Sequence, residues 1–390
     1  MVHRDTHADK LLAVWVNDGS GLNVTIEEKG YWVALSMAPG IGPRRFRKII
    51  DFFGRAEEAW QASPQALLKL FGASLATGFS DFRRGVDPKA IIEDLEKKGM
   101  KFLCACEAEY PRLLSEIYDP PPVLYYKGEF KAEDALAIAV IGSRSASPSG
   151  LMVAEELARG LAAAGVTIIS GLARGIDSAA HRGALLDTSG RTIAVLGSGL
   201  DRIYPPENSR LAVEIMERGA LCTEYPPGTE PLARNFPARN RIISGLALGV
   251  TVVEATADSG SLITVDFALE QGRDVFAVPG TINRKRSQGT NRLIKEGAFL
   301  VDSVEDILQV IALNRLGRPR FDAEETATTR KGDSPVEKRI LSILTEEEYH
   351  IDMLVRLTGY SPAETGAALI LMEMKGLVSE IAPGIYRKCK

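Results

Sequence analysis

Histidine and cysteine are both scarce, with four of each in 390 residues. Cys104, Cys106, Cys222 and Cys389 follow neither a zinc-type nor a redox-type spacing, and Cys104-x-Cys106 alone is a poor metal clip. They read as reduced structural thiols, so a cytoplasmic chain without metal or other cofactor is expected. Long apolar runs are also missing. The longest stretch without a charge, Gly160 to Ala173, has 14 residues and includes three glycines, against about 20 for a membrane span. Met1 to Lys10 carries Asp5 and Asp9 and lacks an apolar core, so no secretory signal is expected. Positive charge is not in excess either: 47 Lys and Arg face 51 Asp and Glu, a net charge of −4. That excludes a uniformly basic nucleic-acid coat and confines any such site to a local patch.

What is present is a globular composition, 45% hydrophobic and 25% charged, enough to bury a sizeable core in two or three domains of about 150 residues. Residues 1–29 have weak periodicity and read as a poorly ordered extension. Residues 30–100 read as a helical domain: Phe46, Ile49, Ile50, Phe53, Ala66, Leu67 and Leu70 recur at helical spacing, with Gly54, Gly72 and Gly78 as punctuation. Ser63-Pro64 forms a helix start. Val123-Leu124-Tyr125-Tyr126 reads as a short strand after a proline-rich stretch. From residue 135 onward, short apolar runs at Ala137–Ile141, Thr167–Ile169, Thr192–Leu196, Ala220–Thr223, Val250–Val253, Val275–Val278 and Phe299–Val301 alternate with helical patterns. None shows in/out alternation, as expected for strands covered on both faces. An α/β fold with a doubly wound, mostly parallel sheet follows. The domain is placed at 101–314, a polar linker at 315–334, and three helices plus a hairpin, the plan of a winged helix, at 335–390.

Ligands of such sheets bind beyond the carboxyl ends of the strands, where helix N-termini present free N–H groups. Gly142, Ser143 and Arg144 open the first such loop and Ser170, Gly171 and Arg174 the second. Both combine glycine, hydroxyl and guanidinium, the ingredients of an anion site. The third loop, Gly197-Ser198-Gly199, has arginine at 202 where a dinucleotide fingerprint needs glycine, so that reading is weak. Arg234, Phe236, Arg239, Asn240 and Arg241 place three arginines and an asparagine around one aromatic, with no acid before Glu254. That pattern suits an unpaired base on a ring with its phosphates held by charge. The alternative is that Phe236 plugs the core and the arginines pair with distant acids. Arg284-Lys285-Arg286, followed by Arg292 and Lys295, is a second basic cluster, on its own a solvated face. In the helical region Gly40 and Gly42 precede Arg44 and Arg45, a turn opening into a basic helix, as in helix–hairpin–helix elements that grip phosphate through backbone amides. Structural use of the same turn is the alternative.

The case for an enzyme is thin. His181 alone lies near a strand-end loop and reads as a helix-face residue; Asp177 reads as a cap for the helix start. Glu254 and Asp258 form a conceivable carboxylate pair, but Ser259-Gly260-Ser261 beside them looks like a capped helix start. In the tail, the expected recognition helix, Ser361 to Lys375, carries Glu364 and Glu373 and only Lys375 as a base, which favours a protein contact or weak DNA element over groove reading.

The stretch from Tyr110 to Ala298 resembles the DNA-processing protein A family (DprA/Smf). The matching pieces include Pro121-Pro122-Val123-Leu124-Tyr125, Ile141-Gly142-Ser143-Arg144 and Ser170-Gly171-Leu172-Ala173-Arg174-Gly175-Ile176-Asp177. Tyr204-Pro205, Phe236-Pro237-Ala238-Arg239-Asn240-Arg241, Ser259-Gly260-Ser261-Leu262 and Val278-Pro279-Gly280 follow in order. The resemblance implies an extended Rossmann-like domain, a helix–hairpin–helix or SAM-like N-terminal module, and no enzymatic activity. It implies a homodimer that binds and protects single-stranded DNA and loads RecA in natural transformation or recombination. Gly142, Ser143 and Arg144 would form a phosphate pocket, with Phe236, Arg239 and Arg241 along the DNA path. Ser170, Gly171, Arg174, Arg234, Asn240, Ser259, Gly260 and Ser261 complete the expected single-strand site. Gly40, Gly42, Arg44 and Arg45 are expected to add accessory phosphate contacts. No membrane partner is expected. The competing reading is a nucleotide N-glycosidase or phosphoribohydrolase, but Val278-Pro279-Gly280-Thr281 lacks the second glycine of that loop.

Overall fold

The computed structural model describes residues 25–317, 335–344, 349–361, 365–366, 368–369, 372, 377–382 and 385–388. The expected extension up to residue 24, the linker from 318 to 334 and most of the expected recognition helix lie outside the described residues. The described residues fall into two compact units, one ending at Gly317 and one beyond it.

In the first unit six helices come first: α1 (Ile26–Ser36), α2 (Pro43–Phe53), α3 (Ala56–Gln61), α4 (Pro64–Phe71), α5 (Ala73–Arg84) and α6 (Pro88–Lys97). Ser63 caps α4 as its hydroxyl accepts from the Ala66 amide, and Pro64 sits where a missing N–H costs nothing. Two boundaries differ from expectation. α1 begins at Ile26, because Thr25 caps it, and Gly78 lies inside α5 rather than between helices.

The apolar runs become strands: β1 (Lys101–Cys104), β2 (Val123–Gly128), β3 (Ala137–Ile141), β4 (Thr167–Ser170), β5 (Thr192–Val195), β6 (Ala220–Thr223), β7 (Gly249–Val252), β8 (Asp274–Ala277) and β9 (Phe299–Leu300). Between and after them lie α7 (Arg112–Ser115), α8 (Pro148–Ala163), α9 (Ile176–Leu186), α10 (Ser209–Arg218), α11 (Asn235–Gly245), α12 (Leu262–Glu270), α13 (Gln288–Lys295) and α14 (Val304–Gly317). β1 was not legible, being four residues with two charged or half-exposed at its start. α11 starts at Asn235, so Pro237 falls in the first turn, where its absent N–H has no helical partner to lose.

The nine strands form one sheet in the order β1-β2-β6-β5-β4-β3-β7-β8-β9. β3 to β9 run parallel, while β2 is antiparallel to β6 and β1 antiparallel to β2. Alternate side chains of β3 serve two cores. Ala137, Ala139 and Ile141 join a cluster that continues through Leu103 to Trp32 and Phe46, so the helical region and the sheet share one core. Ile138 and Val140 pack with Leu157, Ile176 and Ile307 on the other face. The chain winds from β3 through β4, β5 and β6 in one direction, then returns through β7, β8 and β9 in the other. Crossovers therefore diverge between β3 and β7, leaving a crevice at their carboxyl ends.

In the second unit, α15 (Pro335–Ile343) and α16 (Ile351–Thr358) accompany a three-stranded antiparallel sheet of β10 (Tyr349–His350), β12 (Ile385–Lys388) and β11 (Val378–Ala382). The hairpin expected at Val378–Tyr386 is β11 and β12. The unit closes on its own core of Ile340, Leu344, Leu354, Leu369 and Val378.

Candidate nucleic-acid interface

At the β3/β7 switch point lies an open cleft of about 540 Å³, lined among others by Gly142, Arg144, Tyr204, Phe236, Asn240 and Ser261. Its centre is Phe236, on the first turn of α11. Asn235, one residue before, anchors that turn by donating to the Gly197 carbonyl at 3.1 Å. Gly197 has no room for a side chain, since a Cβ there would lie 2.9 Å from the Phe236 ring. The Arg144 guanidinium lies over the ring, 5.4 Å from its centroid, and that of Arg239 at 5.9 Å. Tyr204 tilts against it at 49° with centroids 5.6 Å apart, and remains 39% exposed.

Arg239 borders the cleft as expected but is buried, so it is not an open phosphate contact. It donates to the carbonyls of Gly171 and Val195. Beside it, Asp177 accepts from the amides of Gly171 at 3.1 Å and Ala173 at 3.4 Å. Burial lowers Arg239 to about 10 while Asp177 pulls it back up, and burial raises Asp177 while Arg239 opposes it. Arg239 thus stays cationic at neutral pH and supports Phe236 from below. Asp177 holds the 171–173 loop, with Arg239 nearby, rather than simply capping α9.

Arg241 is a second correction. It lies 5% exposed, donating to Glu224 at 2.6 Å and facing Asp119 at 3.4 Å. The acids come from distant parts of the chain, so the apparently uncompensated arginine is neutralised inside the protein and is unavailable to a phosphate. The alternative of arginines paired with distant acids holds at this position.

The two strand-end loops differ. In the first, Gly142 is glycine because a Cβ would meet Ile176 at 2.7 Å and the Glu254 carbonyl at 2.8 Å. The Ser143 amide donates to that same carbonyl, while its hydroxyl accepts from the Ser145 amide. Arg144 is exposed and forms no ion pair among the described residues. Gly142 and Ser143 therefore shape the turn that presents Arg144. The second loop spends its polar groups largely on the protein itself. The Ser170 hydroxyl is buried on the Val140 carbonyl, Gly171 seats Arg239 and Asp177, and Arg174 pairs with Glu207. Leu172 in this loop is left-handed at φ 55°. Its amide donates to His181 Nε2 at 3.3 Å and its carbonyl accepts from Asn208. Thr192 spends its proton on the Ile168 carbonyl, so it accepts from His181 Nδ1–H. His181 is thus a neutral imidazole tying helix to loop, and burial lowers it to about 3.

Glu254 is likewise structural: its carboxylate accepts from the Ser147 amide and hydroxyl at the start of α8, over Gly150, where a Cβ would strike it. It is not half of a carboxylate pair. Ser259, Gly260 and Ser261 line the cleft at the start of α12, with the two hydroxyls 2.7 Å apart. Asn240 is half-buried and lines the cleft, while Arg234 is exposed and is not among its lining residues. Among the described residues no group of three or more His, Cys, Asp or Glu side chains could hold a metal. In the helical region Gly40 turns at φ +79°, Arg45 donates back to its carbonyl at 2.6 Å, and Arg44 lies over Tyr118. That arrangement braces the hairpin with the very arginines expected to meet phosphate.

Sequence reasoning missed Tyr204. It sits 32 residues before Phe236, and only the fold brings the rings together.

The family model described as DNA recombination-mediator protein A matches residues 101–312, and that of the DprA winged helix domain matches 324–383. The chain is 35% identical to Protein Smf of Synechocystis over 92% of its length and 98% of that protein. It is 51% identical to DNA processing protein DprA of Streptococcus pneumoniae over 51% of this chain and 70% of that one. The crystal structure of the Streptococcus pneumoniae DprA superposes with a TM-score of 0.65 at 38% identity, covering 72% of this chain and 97% of that chain. A Helicobacter pylori DNA processing protein A, described for its single-stranded DNA binding mode, gives a TM-score of 0.50 at 31% identity, covering 55% and 96%.

Proposed function

The chain belongs to the DNA recombination-mediator protein A family, and from that premise we propose that it binds single-stranded DNA in the β3/β7 cleft as a recombination mediator. One observation carries the reading: an exposed, unpaired guanidinium, Arg144, is held on Phe236 at the switch-point cleft with a half-exposed tyrosine beside it. Arginine supplies a fixed charge and planar donors for a phosphate, and an aromatic beside it supplies a face for an unpaired base. A duplex hides those faces in its stack, so preference for a single strand follows.

The groups that could have served catalysis are spent on structure. Glu254 holds a helix start and His181 holds a loop, which supports a non-enzymatic, binding role over the glycosidase alternative. Delivery of the bound strand to RecA, action as a cytoplasmic homodimer and a part in natural transformation belong to the same proposal, on the strength of the family resemblance.

Fluorescence anisotropy with one labelled oligonucleotide, single-stranded and then annealed to its complement, tests the binding reading. Tighter binding of the single strand is expected. Equal binding of both forms would remove the role assigned to the stacking face.

A further inference from the structure

Ile282 is 82% exposed, more than any other large hydrophobic residue described. It sits in the loop after β8, followed by Asn283, Arg284, Lys285 and Arg286, all exposed. A single exposed apolar residue is ordinary on a surface, but this one stands beside three cations on a loop that is fastened in place. The Ala255 amide donates to the Arg286 carbonyl at 2.8 Å, and the Gly289 amide to the Ala255 carbonyl at 2.9 Å. Gly289 permits that approach, since a Cβ would meet Ala255 at 2.8 Å. From the same loop, Arg286 Nε donates to the Ser145 carbonyl at 2.7 Å, and Arg284 reaches the Ser149 hydroxyl at 3.5 Å. The loop is therefore pinned to both walls of the switch point, beside the turn that carries Arg144.

Several exposed arginines elsewhere in the unit have acidic partners, as Arg174 with Glu207, Arg202 with Glu230, Arg210 with Glu214 and Arg292 with Glu296. Arg284, Lys285 and Arg286 have none among the described residues, and neither has Arg144. Four cations without an ion partner therefore sit on two touching loops.

We propose that Ile282 and the Arg284-Lys285-Arg286 run form a second stretch of the single-strand path. Phosphates leave the Arg144 pocket, cross the Ser143–Ser149 turn and continue onto this loop, where Ile282 offers apolar surface to an unpaired base. The inference rests on the cleft being a single-strand site and adds the direction and length of the strand.

The test uses the full chain with thymidine oligonucleotides of about five and about fifteen nucleotides, lengths that bracket the reach of one binding module. The double variant Arg284→Gln/Lys285→Gln is expected to bind the long strand about tenfold more weakly. Its log–log salt slope should fall by about 1.4, two charges at about 0.7 each. Binding of the short strand should stay within about twofold. Ile282→Ser should weaken the long strand without changing the slope. Arg144→Gln is expected to weaken both lengths. If Arg144→Gln weakens both while the loop variants affect neither, or affect both lengths equally, the second stretch is wrong and the cleft stands. If Arg144→Gln affects neither, the cleft reading fails and takes this inference with it.

Discussion

The Arg144 guanidinium rests over the Phe236 ring, 5.4 Å from its centroid, on a side chain that the sequence reading had assigned to a base. Phe236 already carries two guanidinium groups and abuts Gly197, so its first task is to hold Arg144 in place. A preset arginine loses less freedom when it grips a phosphate than a free one does. The open aromatic face is that of Tyr204, tilted against the same ring.

Coupling between Arg144 and Phe236 is therefore expected in binding. In a double-mutant cycle of Arg144→Gln and Phe236→Leu, the loss in single-strand affinity should be less than additive by about 0.5–1 kcal/mol, the scale of an exposed cation–π contact. Additive losses in anisotropy titrations would mean that Phe236 does not act through Arg144.

Tyr204→Ala should weaken single-strand binding by about 1–3 kcal/mol, the contribution of one stacked base. Because no charge is lost, the salt slope should not move, and Tyr204→Phe should restore affinity. Failure of Phe to rescue would assign the effect to the hydroxyl instead of the ring.

Arg241 should matter to the fold and not to DNA. Removing one member of a buried pair leaves the other charge uncompensated, so Arg241→Gln is expected to cost about 3–5 kcal/mol in denaturant unfolding. The fraction that remains folded should bind single strands with unchanged salt slope. A normal midpoint with a lower slope would reinstate Arg241 as a phosphate contact.

Much of this was legible in the chain itself, for definite reasons. The parallel strands have no polar face, and their runs coincide with β3 to β9 within a residue or two, although edge strand β9 is exposed and not covered on both faces as expected. Arg144 and Phe236 could be picked out because each stands in an unusual local pattern. The fates of Arg241 and Arg174 could not, because Glu224, Asp119 and Glu207 that neutralise them arrive through the fold. Glycines misled for a related reason: at 142 and 171 they make room for protein atoms, where a phosphate cradle had been the expectation.

Acid stability should report on His181. Its folded value is about 3 against an ordinary 6.5, so below pH 6.5 the unfolded chain takes up a proton that the fold refuses. The stabilisation is complete above 6.5 and is lost as pH falls towards 3, at about 1.4 kcal/mol per pH unit. Urea unfolding across this range should lose that part of its pH slope in His181→Gln. An unaltered slope would show that other groups govern the acid limb.

The most direct test of the central claim is the salt dependence of single-strand affinity in the native chain and in Arg144→Gln, measured by anisotropy with one oligonucleotide. If Arg144 is the exposed phosphate contact of the cleft, the variant binds more weakly at low salt and its log–log slope is shallower by about 0.7. Parallel lines of equal affinity would contradict the account.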